Sequence, residues 1–147
     1  SGLSVQADPT DTTAGRLMRA DYGYGPGNLL GPVSETAGVP DGAVIEQGSN
    51  AAGSYVRFAD GTQICHTTFD GIDIDNLIGA LYRSTVFAVP YPVPFVTRPV
   101  ASGCCRSTSS AWANVRTADT TDWGVALWAA SPRTGETAEL LAIGRWF

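Results

Sequence analysis

An Asp-Gly pair set between two alternating apolar runs constrains this chain more than any other feature. Ser54-Tyr55-Val56-Arg57-Phe58-Ala59 precedes Asp60-Gly61, and Thr62-Gln63-Ile64-Cys65-His66-Thr67 follows it. Val56 and Phe58 alternate with Tyr55 and Arg57, the two-residue rhythm of a half-buried strand. Asp-Gly tolerates the positive φ that a type I′ turn demands at both central positions, so the pair predicts a β-hairpin. Upstream, the turn Val39-Pro40-Asp41-Gly42 leads into the apolar run Ala43-Val44-Ile45. Further runs that read as strands lie at 81–89, 95–105, 111–117, 124–129 and 137–146. Clusters of turn residues at 90–92, 107–110, 118–122 and 131–135 separate them. Residues 72–81 read equally as a short helix or as a loop entering a strand. Many short strands punctuated by Gly, Pro and Ser predict an all-β fold, an antiparallel β-sandwich.

Residues 1–42 have a different texture. They are rich in Gly, Thr, Asp and Pro, with brief apolar runs only. Asp11-Thr12-Thr13 leads into Ala14-Gly15-Arg16-Leu17-Met18, which reads as a single helical turn or an extended arm. Tyr22-Gly23-Tyr24-Gly25-Pro26-Gly27-Asn28 is unsuited to a regular helix, since Gly is too free and Pro lacks a donor. Such a segment buries too little to offset its own ordering entropy. The expectation is an extended connector over 1–42, held by neighbouring copies of the chain through Leu17, Met18, Leu29 and Leu30, ahead of a sandwich over 43–147.

Charge narrows the partners. The chain carries 9 basic residues, all of them Arg, against 14 acidic ones, for a net charge of −5. Phosphate backbones and anionic membrane surfaces are bound through clustered positive charge, so nucleic acid is not an expected partner. No run approaches the roughly 18 apolar residues of a membrane span, so no membrane insertion is expected.

The catalytic inventory is thin. His66 is the only histidine, which excludes metal sites built from several imidazoles of one chain. It reads as an ordinary polar strand position. No Gly-x-Ser-x-Gly elbow presents a nucleophile, and without Lys there is no Schiff base or phosphate-loop lysine. Cys65, Cys104 and Cys105 lack the spacing of zinc or redox sites and read as small apolar fillers. No enzyme activity and no cofactor are expected. Asp70, Asp73 and Asp75 alternate with Ile72 and Ile74; they are a candidate for a hard cation, or simply solvated acids on an edge strand.

One constellation has binding chemistry. Trp112, Asn114 and Arg116 alternate along one strand and share a face, and Asp119, Asp122 and Trp123 follow in the next turn region. Sugars offer an apolar C–H face and a rim of hydroxyls, which call for an aromatic platform beside amide, carboxylate or guanidinium groups. The alternative is that the tryptophans fill the core or a subunit interface. Trp128 and Trp146 lie in apolar runs and are assigned to the core.

Three stretches resemble a known family. The block from Gly42-Ala43-Val44-Ile45-Glu46-Gln47-Gly48-Ser49-Asn50 through Gly53-Ser54-Tyr55-Val56-Arg57-Phe58-Ala59-Asp60-Gly61-Thr62-Gln63-Ile64-Cys65 is similar to one recurrent near the ends of tail-fibre and spike proteins. These belong to phages, prophages and gene transfer agents of alphaproteobacteria. Residues 6–18 look like the linker that commonly precedes it. Val89-Pro90-Tyr91-Pro92-Val93-Pro94-Phe95-Val96-Thr97-Arg98-Pro99-Val100 resembles the Phe-Pro-x-x-Phe-x-x-x-Pro-x-Val element of H-type lectin-like domains, with Tyr91 where Phe is usual. Leu140 to Phe147 resembles their closing strand, with Leu140 in place of a frequent Trp. The resemblance implies a homotrimeric fibre tip on a virion, joined to upstream fibre or virion proteins and binding a host cell-surface glycan. It carries over no sugar-contacting residue. A structural trimerising cap or head-decoration module is the alternative.

Overall fold

The structure is a computed structural model that describes residues 4–8, 11–19, 23, 26–107 and 110–147, without the side chains of Pro26, Arg116 and Thr117. The expectations that fall on Tyr22, Tyr24, Gly25 and the middle of the 107–110 cluster lie outside the described residues. All strand pairings between the named strands are antiparallel. The first sheet runs β3 (Ile45–Asn50), β4 (Gly53–Phe58), β5 (Thr62–Ile74), β12 (Arg133–Arg145), β9 (Val100–Arg106). The second runs β10 (Ala111–Ala118), β11 (Asp122–Ala129), β7 (Leu81–Arg83), β6 (Asn76–Ile78), and β8 (Phe87–Pro90) also pairs with β11. A separate hairpin joins β1 (Glu35–Thr36) to β2 (Val39–Pro40). Among the described residues no helix is long and apolar enough to cross a membrane.

The expected hairpin forms, with a different turn. Arg57 pairs with Gln63, Val56 with Ile64 and Tyr55 with Cys65. The Gly61 N–H donates to the Phe58 carbonyl (3.0 Å), and Gly61 sits at φ 91° while Asp60 stays at negative φ. The connection is therefore a three-residue loop ending in a left-handed glycine, in place of the two-residue type I′ turn. The positive φ favours glycine there, and a Cβ would also displace the Arg145 guanidinium, 2.4 Å away. Type I′ geometry appears instead at Ala37 (φ 52°) and Gly38 (φ 81°) between β1 and β2, where the expected turn lay three residues later.

Three other expectations are corrected. Residues 72–81 hold no helix; the chain leaves the first sheet after Ile74 and enters the second as the β6–β7 hairpin, with Gly79 at φ 66° in its turn. The single strand at 81–89 is divided by Ser84. This buried residue donates its N–H to the Leu127 carbonyl (2.9 Å), while its hydroxyl oxygen accepts the Leu127 N–H (3.0 Å). A side chain thus completes the β11 ladder where the backbone of 84–86 turns away. One helical turn, α1 (Pro26–Leu29), occupies part of the glycine tract, with Pro at the first position, where its missing donor costs nothing.

The core lies between the sheets. Cys65, Ala138, Leu140 and Ala142 come from the first sheet, and Val89, Trp123, Val125, Leu127 and Ala129 from the second, with Tyr91 and Phe95 closing one end. Trp123 has no exposed surface. Its ring lies 4.3 Å from that of Tyr91, and Tyr91 meets Phe95 edge-on at 4.9 Å. The Pro90–Pro94 loop is pinned by the buried Gln63 amide, which donates to the carbonyls of Val93 and Pro94 (3.1 Å each) and accepts from Arg57 Nε (2.8 Å).

Ahead of the sandwich, Leu30 forms an isolated bridge with Ile45. Gly31 donates to the Ile45 carbonyl (3.0 Å), and the Val33 N–H donates to Glu46 Oε2 (2.9 Å). Leu17, Met18, Leu29 and Leu30 remain exposed, Met18 at 66%.

Tyr91 is nearly fully buried, yet its hydroxyl has no hydrogen-bond partner among the described residues. Burial, with Asp119 and Asp122 nearby, pushes its pKa well above the usual range. A buried donor left unpaired costs stability. Tyr91→Phe is therefore expected to raise the unfolding free energy in urea by about 1 kcal/mol. A loss of stability in that variant would show that the hydroxyl has a partner in solution.

Candidate functional site

The outer face of the second sheet collects the binding chemistry. Antiparallel pairing sets Trp112 of β10 directly opposite Trp128 of β11, and Trp128 opposite Arg83 of β7. Directly opposed residues share a face, so two indoles and a guanidinium form a row across three strands. Asn114 lies two residues along β10 from Trp112, and Leu81 two residues along β7 from Arg83. These five residues line an open concavity of about 530 Å³. Trp112 is 42% exposed, and Trp128 and Arg83 are half-buried. The Arg83 guanidinium carbon sits 5.6 Å from the Trp128 ring centroid, a cation–π distance that holds the head group in place.

The arrangement suits a ligand with one flat apolar face and a polar rim. Adjacent indoles provide the platform, and the Asn114 amide and Arg83 guanidinium provide donors at its edge.

The six residues singled out from the sequence are not all brought together. Trp112 and Asn114 line the concavity as expected; the side chain of Arg116 lies outside the described residues. Trp123 is corrected to a core residue, since it faces the other sheet and donates its indole N–H to the Leu141 carbonyl (3.2 Å). Asp119 and Asp122 sit at the opposite end of the hairpin: Asp119 is seven positions on from Trp112 and Asp122 six along β11 from Trp128, separations of roughly 20 Å. There Asp119 Oδ1 accepts from the N–H groups of Thr121 (2.7 Å) and Asp122 (3.0 Å) and from the Thr121 hydroxyl (2.9 Å). Its task is to close the turn.

Trp128 is also corrected: it is no core residue but half of the aromatic platform. Trp146 is half-buried at the sandwich edge, donating to the Phe58 carbonyl (2.8 Å) and lying beneath Arg57. Arg83, Leu81 and Trp128 were missed as site residues. The signal available was the two-residue spacing Leu81-x-Arg83, which is uninformative until the strand pairing is known.

Asp70, Asp73 and Asp75 do not converge. Asp70 Oδ1 accepts from the Thr137 hydroxyl (2.6 Å) and Asp73 Oδ1 from the Gly135 N–H (2.9 Å), each tying β5 to β12. No group of three or more potential metal ligands occurs among the described residues. Cys65 is a buried filler, whereas Cys104 is exposed and corrected accordingly; burial and the neighbouring Glu136 push the Cys105 thiol up to about 11. His66 is exposed on β5 and lines a polar concavity of about 360 Å³ with Ser49, Ser54 and Tyr55.

No protein-family model matches the chain, and no curated protein matches it. Among solved structures, it is similar to a C-terminal portion of the R1 pyocin fibre of P. aeruginosa, at 12% identity and a TM-score of 0.51, covering 68% of this chain. The chain spans 28% of the length of that structure. It is also similar to an N-truncated R1-type pyocin tail fibre, at 12% identity and a TM-score of 0.49, covering 69% of this chain and 88% of that one. The first likeness establishes a fold shared with part of a tail fibre.

The Asp119 turn has a pH signature. Hydrogen bonds from Thr121 and Asp122 hold its carboxyl below the usual carboxylate range. Because the folded-state pKa is depressed, the stabilisation is present above the unfolded pKa of about 3.9 and lost as pH falls through the folded value. Asp119→Ala should therefore lower the melting temperature at pH 7, with the deficit shrinking as the pH is taken below 4. A deficit independent of pH would assign the loss to packing instead.

Proposed function

We propose that this chain is a non-catalytic module of a virion fibre or spike, which attaches the particle to its host by binding surface carbohydrate. The observation that carries this reading is the outward row of Trp112, Trp128 and Arg83, with Asn114 beside it, on a fold shared with part of a pyocin fibre. Such a sheet face, solvated and lined by aromatic and amide groups, has the chemistry of a sugar platform. The resemblance of the 42–65 block and the 89–100 element to fibre tips with H-type lectin-like domains supports the same reading.

The proposal includes a homotrimer. On the outer face of the first sheet, Val56, Ile64, Ile143 and Val100 follow one another across four strands. Val100 is 81% exposed and Ile143 45%, with Leu141 beside them. This apolar row, together with the exposed Leu17, Met18, Leu29 and Leu30, offers surface for copies of the same chain. Three sites on one tip would turn weak sugar contacts into firm attachment, with avidity gains of roughly 10² to 10⁴.

A second reading, a structural trimerising cap, is favoured by the apolar row alone. The two separate by experiment. Light scattering should give three times 15.4 kDa, and Trp112→Ala should keep that mass while lowering binding to host cells or a glycan array by about tenfold or more. Unchanged binding in that variant would leave the cap; a monomeric mass would remove the trimer from both readings.

A further inference from the structure

We propose that the Trp112–Trp128–Arg83 concavity takes an anionic saccharide, whose carboxylate or phosphate is bound by Arg83 while a sugar ring lies on the two indoles. This rests on the carbohydrate reading and narrows it.

Among the described residues the wall of the concavity carries one cation and no acid: it is made of Leu81, Arg83, Trp112, Asn114 and Trp128. That is notable in a chain with 14 acidic residues against 9 arginines. Arg16, Arg57, Arg106 and Arg133 each stand beside a carboxylate, of Asp11, Glu46, Glu139 and Glu136 respectively. Arg83 has no carboxylate within ion-pair distance among the described residues. Its Nε is shut off from solvent without an acceptor, and its guanidinium is held over the Trp128 ring. A half-buried guanidinium without a counter-ion is costly, and an anion entering the concavity supplies one.

The geometry also favours this pairing. Guanidinium is planar, weakly hydrated and permanently charged, and its donors match two oxygens of a carboxylate or phosphate. Its place over the Trp128 ring leaves its charge in place and limits the rotamer freedom that would be lost on binding. The net charge of −5 does not prevent anion capture, because exposed charges more than about 8 Å away are screened at physiological salt. A neutral sugar would use the indoles and Asn114 and leave Arg83 unsatisfied. The chain therefore discriminates through the cost of an unpaired cation.

The test titrates the whole chain by tryptophan fluorescence with three probes: trigalacturonic acid, its methyl ester and glucose 6-phosphate. The acid is expected to bind about tenfold tighter than the ester, which keeps the sugar rings and removes the charge. Arg83→Gln should bring acid and ester to equal affinity, and Arg83→Lys should retain part of the preference through charge without the fork. Trp112→Ala should weaken all probes together. Binding of glucose 6-phosphate alone would assign the anion as phosphate; binding of the acid alone would assign it as carboxylate. Equal affinity for acid and ester in the unaltered chain overturns the anion inference while leaving the sugar reading intact. Failure of all three to bind at about 10 mM overturns this inference, and the carbohydrate reading falls with it only if Trp112→Ala also leaves adsorption to host cells unchanged.

Discussion

Trp123 joins the two sheets, and the placement of everything on the outer surface follows from it. Its indole fills the space against Tyr91, while its N–H reaches across the sandwich to the Leu141 carbonyl of β12. A buried indole must satisfy that donor, and a backbone acceptor on the opposite sheet is a rigid solution. β11 is consequently fixed in register and rotation. Trp123, Val125, Leu127 and Ala129 point inward, which by the alternation of a strand turns Trp128 to the opposite side. The aromatic platform outside is thus the consequence of a tryptophan inside.

The same constraint explains why β11 is almost wholly buried. It has β10 along one edge and first β8, then β7, along the other. The join between β8 and β7 would leave Leu127 without a partner; the Ser84 hydroxyl fills that gap. By holding β7 in line with β11, Ser84 brings Arg83 alongside Trp128. A buried serine with no contact to the concavity is therefore among the residues that shape it.

Local rules made much of this legible beforehand. The 54–67 hairpin, the alternation of Trp112 and Asn114 on one face, and the all-β antiparallel fold follow from period and turn chemistry, which act over a few residues. What stayed hidden depended on pairing between distant strands. Trp128 sits in the run Gly124-Val125-Ala126-Leu127-Trp128-Ala129, apolar at every position, and a run without polar alternation has no rhythm to show which side each residue takes. Trp123 and Trp112 look alike in sequence, each beside small or polar residues; burial separates them completely. Arg83 acquires its role from a register 45 positions away in the chain, which no local pattern encodes.

The two outer faces differ in a way that bears on the proposed role. The first sheet presents Val56, Ile64, Ile143 and Val100 in one apolar row. The second presents indoles, an amide and a guanidinium at the corresponding place. An exposed apolar row favours contact with another dry surface, where burial gains about 25 cal/mol per Å² and nothing polar must be desolvated. A platform of indole and guanidinium favours a ligand that arrives hydrated and keeps part of its water. On the proposed reading, copies of the chain meet through the first face and the second is left to the host surface. The fold's two sheets then divide assembly and attachment between them, so a change that weakens one face should leave the other working. That separability distinguishes a gripping module from a cap, for in a cap nothing would select the aromatic row on the second sheet.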